Sequence, residues 1–218
     1  MTNPLGRLRE LGQSVWLDDL RRDYLEEGTL RGLIERDAVT GITTNPAIFA
    51  RALDESDRYL ADIARRARAG AAGGGIYEAL VVDDVRQAAD LLRPVYDATA
   101  AADGYVSLEV SPHLADDTEA TVGQARRLWA RVARPNLMIK VPGTEAGLPA
   151  LRALVADGIN VNVTLLFSVS RYRSVVESHR QGLEDRLAAG RPLARVALQA
   201  PANEVLRVVA RPLQQRRR

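Results

Sequence analysis

Lys140 is the only lysine in a chain of 218 residues whose lysines and arginines together number 30. A chain that uses arginine at every other cationic position keeps a lysine where a guanidinium cannot replace it, and the difference is nucleophilicity. An ammonium can lose its proton and attack a carbonyl to form a Schiff base, whereas a guanidinium stays protonated. The lysine lies in a short apolar run, Leu137-Met138-Ile139-Lys140-Val141, which Pro142-Gly143 breaks. Such a run reads as a buried strand that presents the amine near its C-terminal end. Further groups able to do chemistry stand at the ends of similar runs: Asp18, then Thr43, Thr44 and Asn45, then Ser107 and Glu109, then Asn162 and Thr164. Gathered on one face, they would supply an amine to attack a ketone, carboxylates to move protons and neutral polar groups to orient hydroxyls. That is the equipment of a Schiff-base aldol reaction.

The elements that must position these groups are legible as an alternation. Short apolar runs alternate with segments of helical period from residue 14 to about residue 200, the pattern of repeated βα units around a parallel sheet. Strands are predicted over 14–18, 38–43, 105–109, 136–141 and 159–163, and a sixth, more weakly patterned, over 194–199. In parallel βα repeats the strand C-termini share one face, and in closed barrels that face carries the chemistry. Arginines interspersed with carboxylates predict solvated helices over 51–68 and 168–189. Val85, Ala88, Ala89, Leu92, Val95 and Tyr96 predict a helix whose first turn is capped by Asp83 or Asp84. Another helix opens near Asp117 or Thr118 and presents Ala125, Leu128, Trp129 and Val132. Leu148, Leu151, Leu154 and Val155 predict one that stops at Gly158, and the last helix runs from a Ser168 cap to Gly190. The glycine-rich stretch Ala69–Gly75 lacks the Lys and Ser or Thr of a phosphate loop and follows a helix, so it reads as a flexible connection within one domain.

Each group also has a structural reading. Asp18 or Asp19 could simply start a helix, Glu109 could pair with an arginine, and Ser107 could bond to backbone. Thr43-Thr44-Asn45-Pro46 could be only a turn. Asn162, flanked by valines, is harder to explain in that way, because a buried amide needs partners for its oxygen and its nitrogen.

Composition narrows the classes further. No cysteine is present, which excludes disulfides and thiolate metal sites, and two histidines, His113 and His179, are too few for a zinc site. No metal and no cofactor are expected. The formal net charge is +2, with arginines spread among carboxylates, so no nucleic-acid partner is expected and Arg216–Arg218 reads as a frayed tail. Neither an apolar N-terminal segment nor a run of about 18 apolar residues occurs, so no membrane partner is expected and the protein is read as cytoplasmic.

At the same residues the chain resembles a family. Gly41-Ile42-Thr43-Thr44-Asn45-Pro46-Ala47-Ile48-Phe49 resembles the first signature of the transaldolases. Met138-Ile139-Lys140-Val141-Pro142, with Thr144, Glu145 and Gly147, resembles the second, which surrounds the Schiff-base lysine. Gly158-Ile159-Asn160-Val161-Asn162-Val163-Thr164-Leu165-Leu166-Phe167-Ser168 is similar to a third block. The resemblance runs from about residue 4 to residue 196 and has its motifs in the family's order. It implies an α/β protein of the (β/α)8 TIM-barrel class, here incomplete, with about six of the eight βα units. It also implies an enzyme of the pentose phosphate pathway that moves a dihydroxyacetone unit to an aldose phosphate. The donor would be a ketose phosphate, sedoheptulose 7-phosphate or fructose 6-phosphate. By motif, Lys140 would form the imine and Asp18 would serve as acid and base, while Glu109 and Thr164 would hold a proton-relaying water. Asn45 and Asn162, helped by Thr43 and Ser107, would bind the hydroxyls of the dihydroxyacetone unit. The expected partners are small-molecule sugar phosphates.

After Val196 the resemblance stops. Residues 1–196 read as a partial barrel and 197–218 as a divergent tail, without the serine and arginine that bind substrate phosphate in the family. Arg207 and Arg211 are cations in that tail, within a segment that reads as a short helix. Loss of frame or truncation is the expected origin of this end, and exposed barrel edges would favour self-association. Two other readings stay open at this stage: an inactive remnant or sugar-phosphate-binding fragment, and a different lysine aldolase, such as one using free dihydroxyacetone.

Overall fold

The structure, a computed structural model, describes residues 3–193 and 196–199. The chain begins with α1 (Pro4–Glu10), β1 (Val15–Leu17), α2 (Arg22–Glu26), α3 (Thr29–Arg36), β2 (Val39–Thr43) and α4 (Pro46–Glu55). A 3₁₀ turn at Asp57–Tyr59 leads to α5 (Leu60–Arg68), α6 (Gly73–Ala98) and β3 (Tyr105–Glu109). Then come α7 (Thr118–Val132), β4 (Leu137–Pro142), α8 (Gly147–Asp157), β5 (Val161–Thr164), α9 (Val169–Ala188) and β6 (Leu198–Gln199). All six predicted strands are present, with ends shifted by a few residues. They belong to two compact units, one of the residues up to Glu109 with Leu128–Leu137, the other of Val110–Arg127 with Met138 onward.

In the first unit β2 pairs in parallel with both β1 and β3. In the second, β5 pairs in parallel with both β4 and β6. Strand order follows chain order within each unit, as consecutive βα repeats require. The strand faces turned towards the helices are apolar, since the helices cover what a parallel sheet would otherwise expose. Helix α6 packs on β2 and β3 and brings Val85, Ala88, Ala89 and Leu92 to complete burial, together with Ile42 and Val106 of the strands. Helix α8 packs on β5 and α9, and its Leu154 and Val155 are fully buried, as are Ile139, Val141 and Val161. Helix α8 ends at the predicted glycine: Gly158 caps it with φ at 88°. Ser168 caps α9, its hydroxyl accepting from the Arg171 amide.

Three features differ from the sequence reading, and a fourth is an element it does not predict. Asp83 and Asp84 cap nothing, because α6 begins at Gly73 with Ala72 as its cap residue and both aspartates lie in its middle. Burial of Ile76, Ala79, Leu80, Val81 and Val82 outweighs the poor helix propensity of the first-turn glycines, so Gly73–Gly75 is helix rather than connection. The segment 51–68 is broken at Ser56, whose extended backbone ends α4 and whose hydroxyl donates to Asp23 Oδ1 at 2.8 Å. The N-terminal segment forms α1, capped by Asn3, which accepts from the Leu5 amide at 2.9 Å. Beyond Gln199 the predicted tail, with Arg207, Arg211 and the terminal arginines, lies outside the described residues.

Candidate active site

In the first unit the nominated residues stand at the C-terminal ends of β1, β2 and β3. Register pairs Thr43 with Ser107, and aligned residues of parallel neighbours project to the same side, so both hydroxyls share a face. Strand alternation adds Glu109, two residues beyond Ser107, to that face. Ser107 is fully buried, and Thr43 and Glu109 are half-buried. Trp16, level with Gly41 in register, lies across that glycine: a Cβ added there would come within 2.2 Å of the indole Cε2. Thr44 clasps the two strand ends together. Its amide donates to the Ser107 carbonyl at 2.9 Å, and its hydroxyl accepts from the Glu109 amide at 3.3 Å.

Asn45 does two things at once. Extended at φ −133° and ψ 126°, it is the cap residue of α4, followed by proline. Its Oδ1 accepts from the Ala47 amide at 2.9 Å and the Ile48 amide at 3.4 Å. The capping oxygen is thereby committed, and the Nδ2 group is the part that can donate to a ligand. Thr-Thr-Asn-Pro is therefore more than a turn: it starts a helix and presents an amide at the same point.

Asp18 follows β1 and is exposed; Asp19 is half-buried. Neither starts α2, whose cap residue is Arg21, with no side-chain cap. Burial holds the Asp19 carboxyl above the usual range and the charge of Asp18 adds to it, against Arg21, a hydrogen bond from Tyr24, and Arg51. Tyr77 is a residue that sequence reasoning missed, since nothing in the local spacing singles it out. Its hydroxyl donates to the Pro46 carbonyl at 3.4 Å, and burial, with the charge of Glu109, keeps its proton above the ordinary phenol range.

In the second unit β4 carries Lys140 between Ile139 and Val141, both fully buried. Lys140 itself is half-buried. Register pairs it with Asn162 on β5, and Pro142 with Thr164, so the amine, the buried amide and the Thr164 hydroxyl belong to one face of this unit. The next pairing, Asn162 with Gln199, adds an amide that sequence reasoning did not single out. Backbone bonds fix the strand end: the Val110 amide donates to the Lys140 carbonyl at 3.1 Å and the Gly143 amide to the Thr164 carbonyl at 2.8 Å. Thr144 locks the turn into α8, donating to the Ala115 carbonyl at 2.6 Å and accepting from the Gly147 amide at 3.0 Å. Just past Thr164 the backbone turns through Leu165 at φ 62°, a left-handed conformation that costs a leucine strain and is found where geometry matters.

Among the described residues no group of three or more His, Cys, Asp or Glu could hold a metal ion, and no helix is long and apolar enough to cross a membrane. A polar depression of about 310 Å³ in the first unit is lined by Arg22, Glu26, Asp62, Asp83, Arg86 and Gln87. None of the nominated residues lines it.

Parallel βα units in chain order define a protein of the (β/α)8-barrel class. The chain belongs to the transaldolase/fructose-6-phosphate aldolase family, whose model matches residues 15–198, and its fold is an incomplete form of that family's barrel. It is 50% identical over 195 residues to transaldolase 2 of Nostoc sp., covering 89% of this chain and 51% of that protein. To the transaldolase of Thiobacillus denitrificans it is 52% identical over 185 residues, 85% of this chain and 52% of the other. To that of Thermobifida fusca it is 51% identical over 202 residues, covering 90% and 53%. The chain thus spans about half the length of the curated relatives it matches, and the resemblance carried by its three motifs is borne out.

Proposed function

We propose that this chain performs transaldolase chemistry, moving a dihydroxyacetone unit from sedoheptulose 7-phosphate or fructose 6-phosphate to an aldose phosphate. The neutral Lys140 amine adds to the ketose C2 carbonyl, and loss of water gives an imine. Asp18 accepts the C4 hydroxyl proton as the C3–C4 bond breaks, the protonated imine taking up the electron pair to become an enamine. The aldose phosphate leaves, an acceptor aldose takes its place, and the same steps run in reverse. Glu109 and Thr164 hold the water that relays protons, and Asn45, Asn162, Thr43 and Ser107 hold the hydroxyls of the dihydroxyacetone unit. On this reading the reaction belongs to the pentose phosphate pathway and the protein to the cytoplasm. Association through strand edges belongs to the same reading, since among the described residues β1 pairs with β2 alone and β6 with β5 alone.

The observation that carries the reading is the register of the sole lysine with a buried amide, Lys140 with Asn162, inside two of the motifs shared with the family. Borohydride trapping with fructose 6-phosphate tests it. The expected result is a covalent adduct on Lys140 that disappears in Lys140→Arg. Folded protein that gives no adduct would sink the proposal.

A further inference from the structure

The segment Asp18–Arg21 joins β1 to α2 and has no hydrogen-bonded regular structure of its own. Directly after it stands a densely bonded side chain. Arg22, the first residue of α2, has a side chain only 7% exposed. Its Nε and Nη2 both donate to Asp84 Oδ1, at 3.0 and 2.7 Å, and its Nη1 donates to Asp62 Oδ2 at 2.7 Å. The Arg22 amide donates to the Tyr59 hydroxyl at 2.9 Å. That hydroxyl donates onward to Asp84 Oδ2 at 2.9 Å, while the guanidinium stands 4.5 Å from the centre of the Tyr59 ring. One residue is thus held by α5, by α6 and by the 3₁₀ turn before α5, with backbone and side chain both engaged. Leu20, two residues upstream and 3% exposed, anchors the middle of the segment.

Stability does not explain this arrangement. Desolvating a guanidinium and a carboxylate offsets most of their attraction, and an apolar set of similar volume often serves the fold as well or better. What such a set lacks is direction. A planar guanidinium bound on two edges and stacked on a ring fixes position and orientation together, so the network specifies where α2 starts and where the chain leaving β1 must run.

We propose that Arg22 is a positioning residue that fixes the Asp18–Arg21 segment and, through it, the Asp18 carboxyl on which C3–C4 cleavage depends. The part concerning cleavage rests on the function proposed above. Arg22 touches no reacting atom in this scheme. Its effect falls on the step that needs Asp18 and not on imine formation by Lys140.

The experiment compares wild type with Arg22→Met, Arg22→Lys and the apolar replacement Arg22→Met/Tyr59→Phe/Asp84→Leu, which keeps the protein folded should the single variant fail. Three quantities are read: borohydride-trapped adduct with free dihydroxyacetone, release of glyceraldehyde 3-phosphate from fructose 6-phosphate with an aldose phosphate present as acceptor of the dihydroxyacetone unit, and hydrogen exchange of the amides of residues 18–21. In the methionine and triple variants the adduct yield is expected to match wild type. Cleavage kcat should fall on the order of a hundredfold with little change in KM, and the 18–21 amides should exchange faster while those of β2 do not. Arg22→Lys, a single point charge in place of a fork, should recover only part of the loss. Wild-type cleavage in the folded triple variant, or unchanged exchange at 18–21, overturns the proposal. Should wild type form no adduct, or form adduct without cleaving, the function proposed above fails at that step, and the exchange measurement still decides whether Arg22 fixes the segment.

Discussion

The two units are built on the same plan, parallel strands covered by helices, yet they treat charge in opposite ways. The first buries it: Arg22 and Asp84 are 6% and 0% exposed, tied to each other and to Tyr59. Among the described residues of the second unit no charged side chain is buried to that degree. There the ion pairs run along helix surfaces, Arg152 with Asp185 and Arg180 with Glu177 and Glu184, and the cation of interest, Lys140, comes from a strand. The difference maps onto chemistry. The unit that carries the nominated carboxylates, Asp18 and Glu109, leads one of them off a short strand into an irregular segment, and the buried network adjoins that segment directly. The unit that carries the amine sets it in the middle of a paired strand, where backbone bonds on both sides do the positioning.

The sharpest way to break this contrast is Asp84→Leu. Removing one partner leaves Arg22 buried without its main acceptor, and a loss of about 3–5 kcal/mol is expected in urea denaturation. The matched apolar replacement of Arg22, Tyr59 and Asp84 should recover most of that loss, and if it does not, the network is a source of stability rather than of geometry. Gly41→Ala comes next. The added methyl meets the Trp16 ring, and overpacking of this kind costs about 1–3 kcal/mol.

Alkaline pH tests the first unit through its tyrosines. Burial pushes the Tyr105 phenol up to about 12, the neighbouring Tyr96 and Asp103 adding to it. A folded-state pKa above that of the unfolded chain means that the folded protein retains a proton that the unfolded chain releases. Stability should therefore be intact below about pH 10, the ordinary phenol value, and fall as pH rises through about 12. Tyr105→Phe should flatten that fall in pH-dependent denaturation, at a neutral-pH cost of about 1 kcal/mol, because Tyr105 donates to the Ala101 carbonyl at 2.8 Å. The smallest effect belongs to the second unit. Arg180 and Gln181 hold the Glu177 carboxyl down at about 2, but the pair lies in water, and Arg180→Ala should leave the thermal midpoint unchanged within error.

Much of the fold is legible in the sequence alone. The strands show themselves because β-branched and aliphatic runs bounded by turn residues have few other ways to satisfy both burial and backbone. The Gly158 stop and the Ser168 cap follow from local chemistry. Asp83 and Asp84 mislead because the same local rule, aspartate before an apolar helical face, applies equally to a cap and to the middle of a longer helix. What decides between them is Arg22, 62 residues away in the chain, and no window on the sequence reports such a partner. The start of α6 is hidden for a related reason, its glycines arguing against helix while tertiary packing overrules them. At the site, Lys140 and Asn162 are legible from type and setting, and their alignment in register is a property of the sheet. The double use of Asn45, its oxygen in the cap and its amino group available, emerges only from the hydrogen bonds. Tyr77 and Gln199 carry no local signal, since the one is a helix residue among others and the other ends a strand of two residues.

A lysine-specific endoproteinase has one peptide bond to cut in this molecule, the bond after Lys140. That bond lies within β4, paired to β5 through Ile139, Lys140 and Val141, and a protease needs the strand drawn out of its sheet before it can cleave. Digestion with such an enzyme would therefore time the opening of one particular strand. Any sugar held covalently on the amine would make the same bond resistant, so a single gel band would report both the integrity of β4 and the occupancy of its lysine.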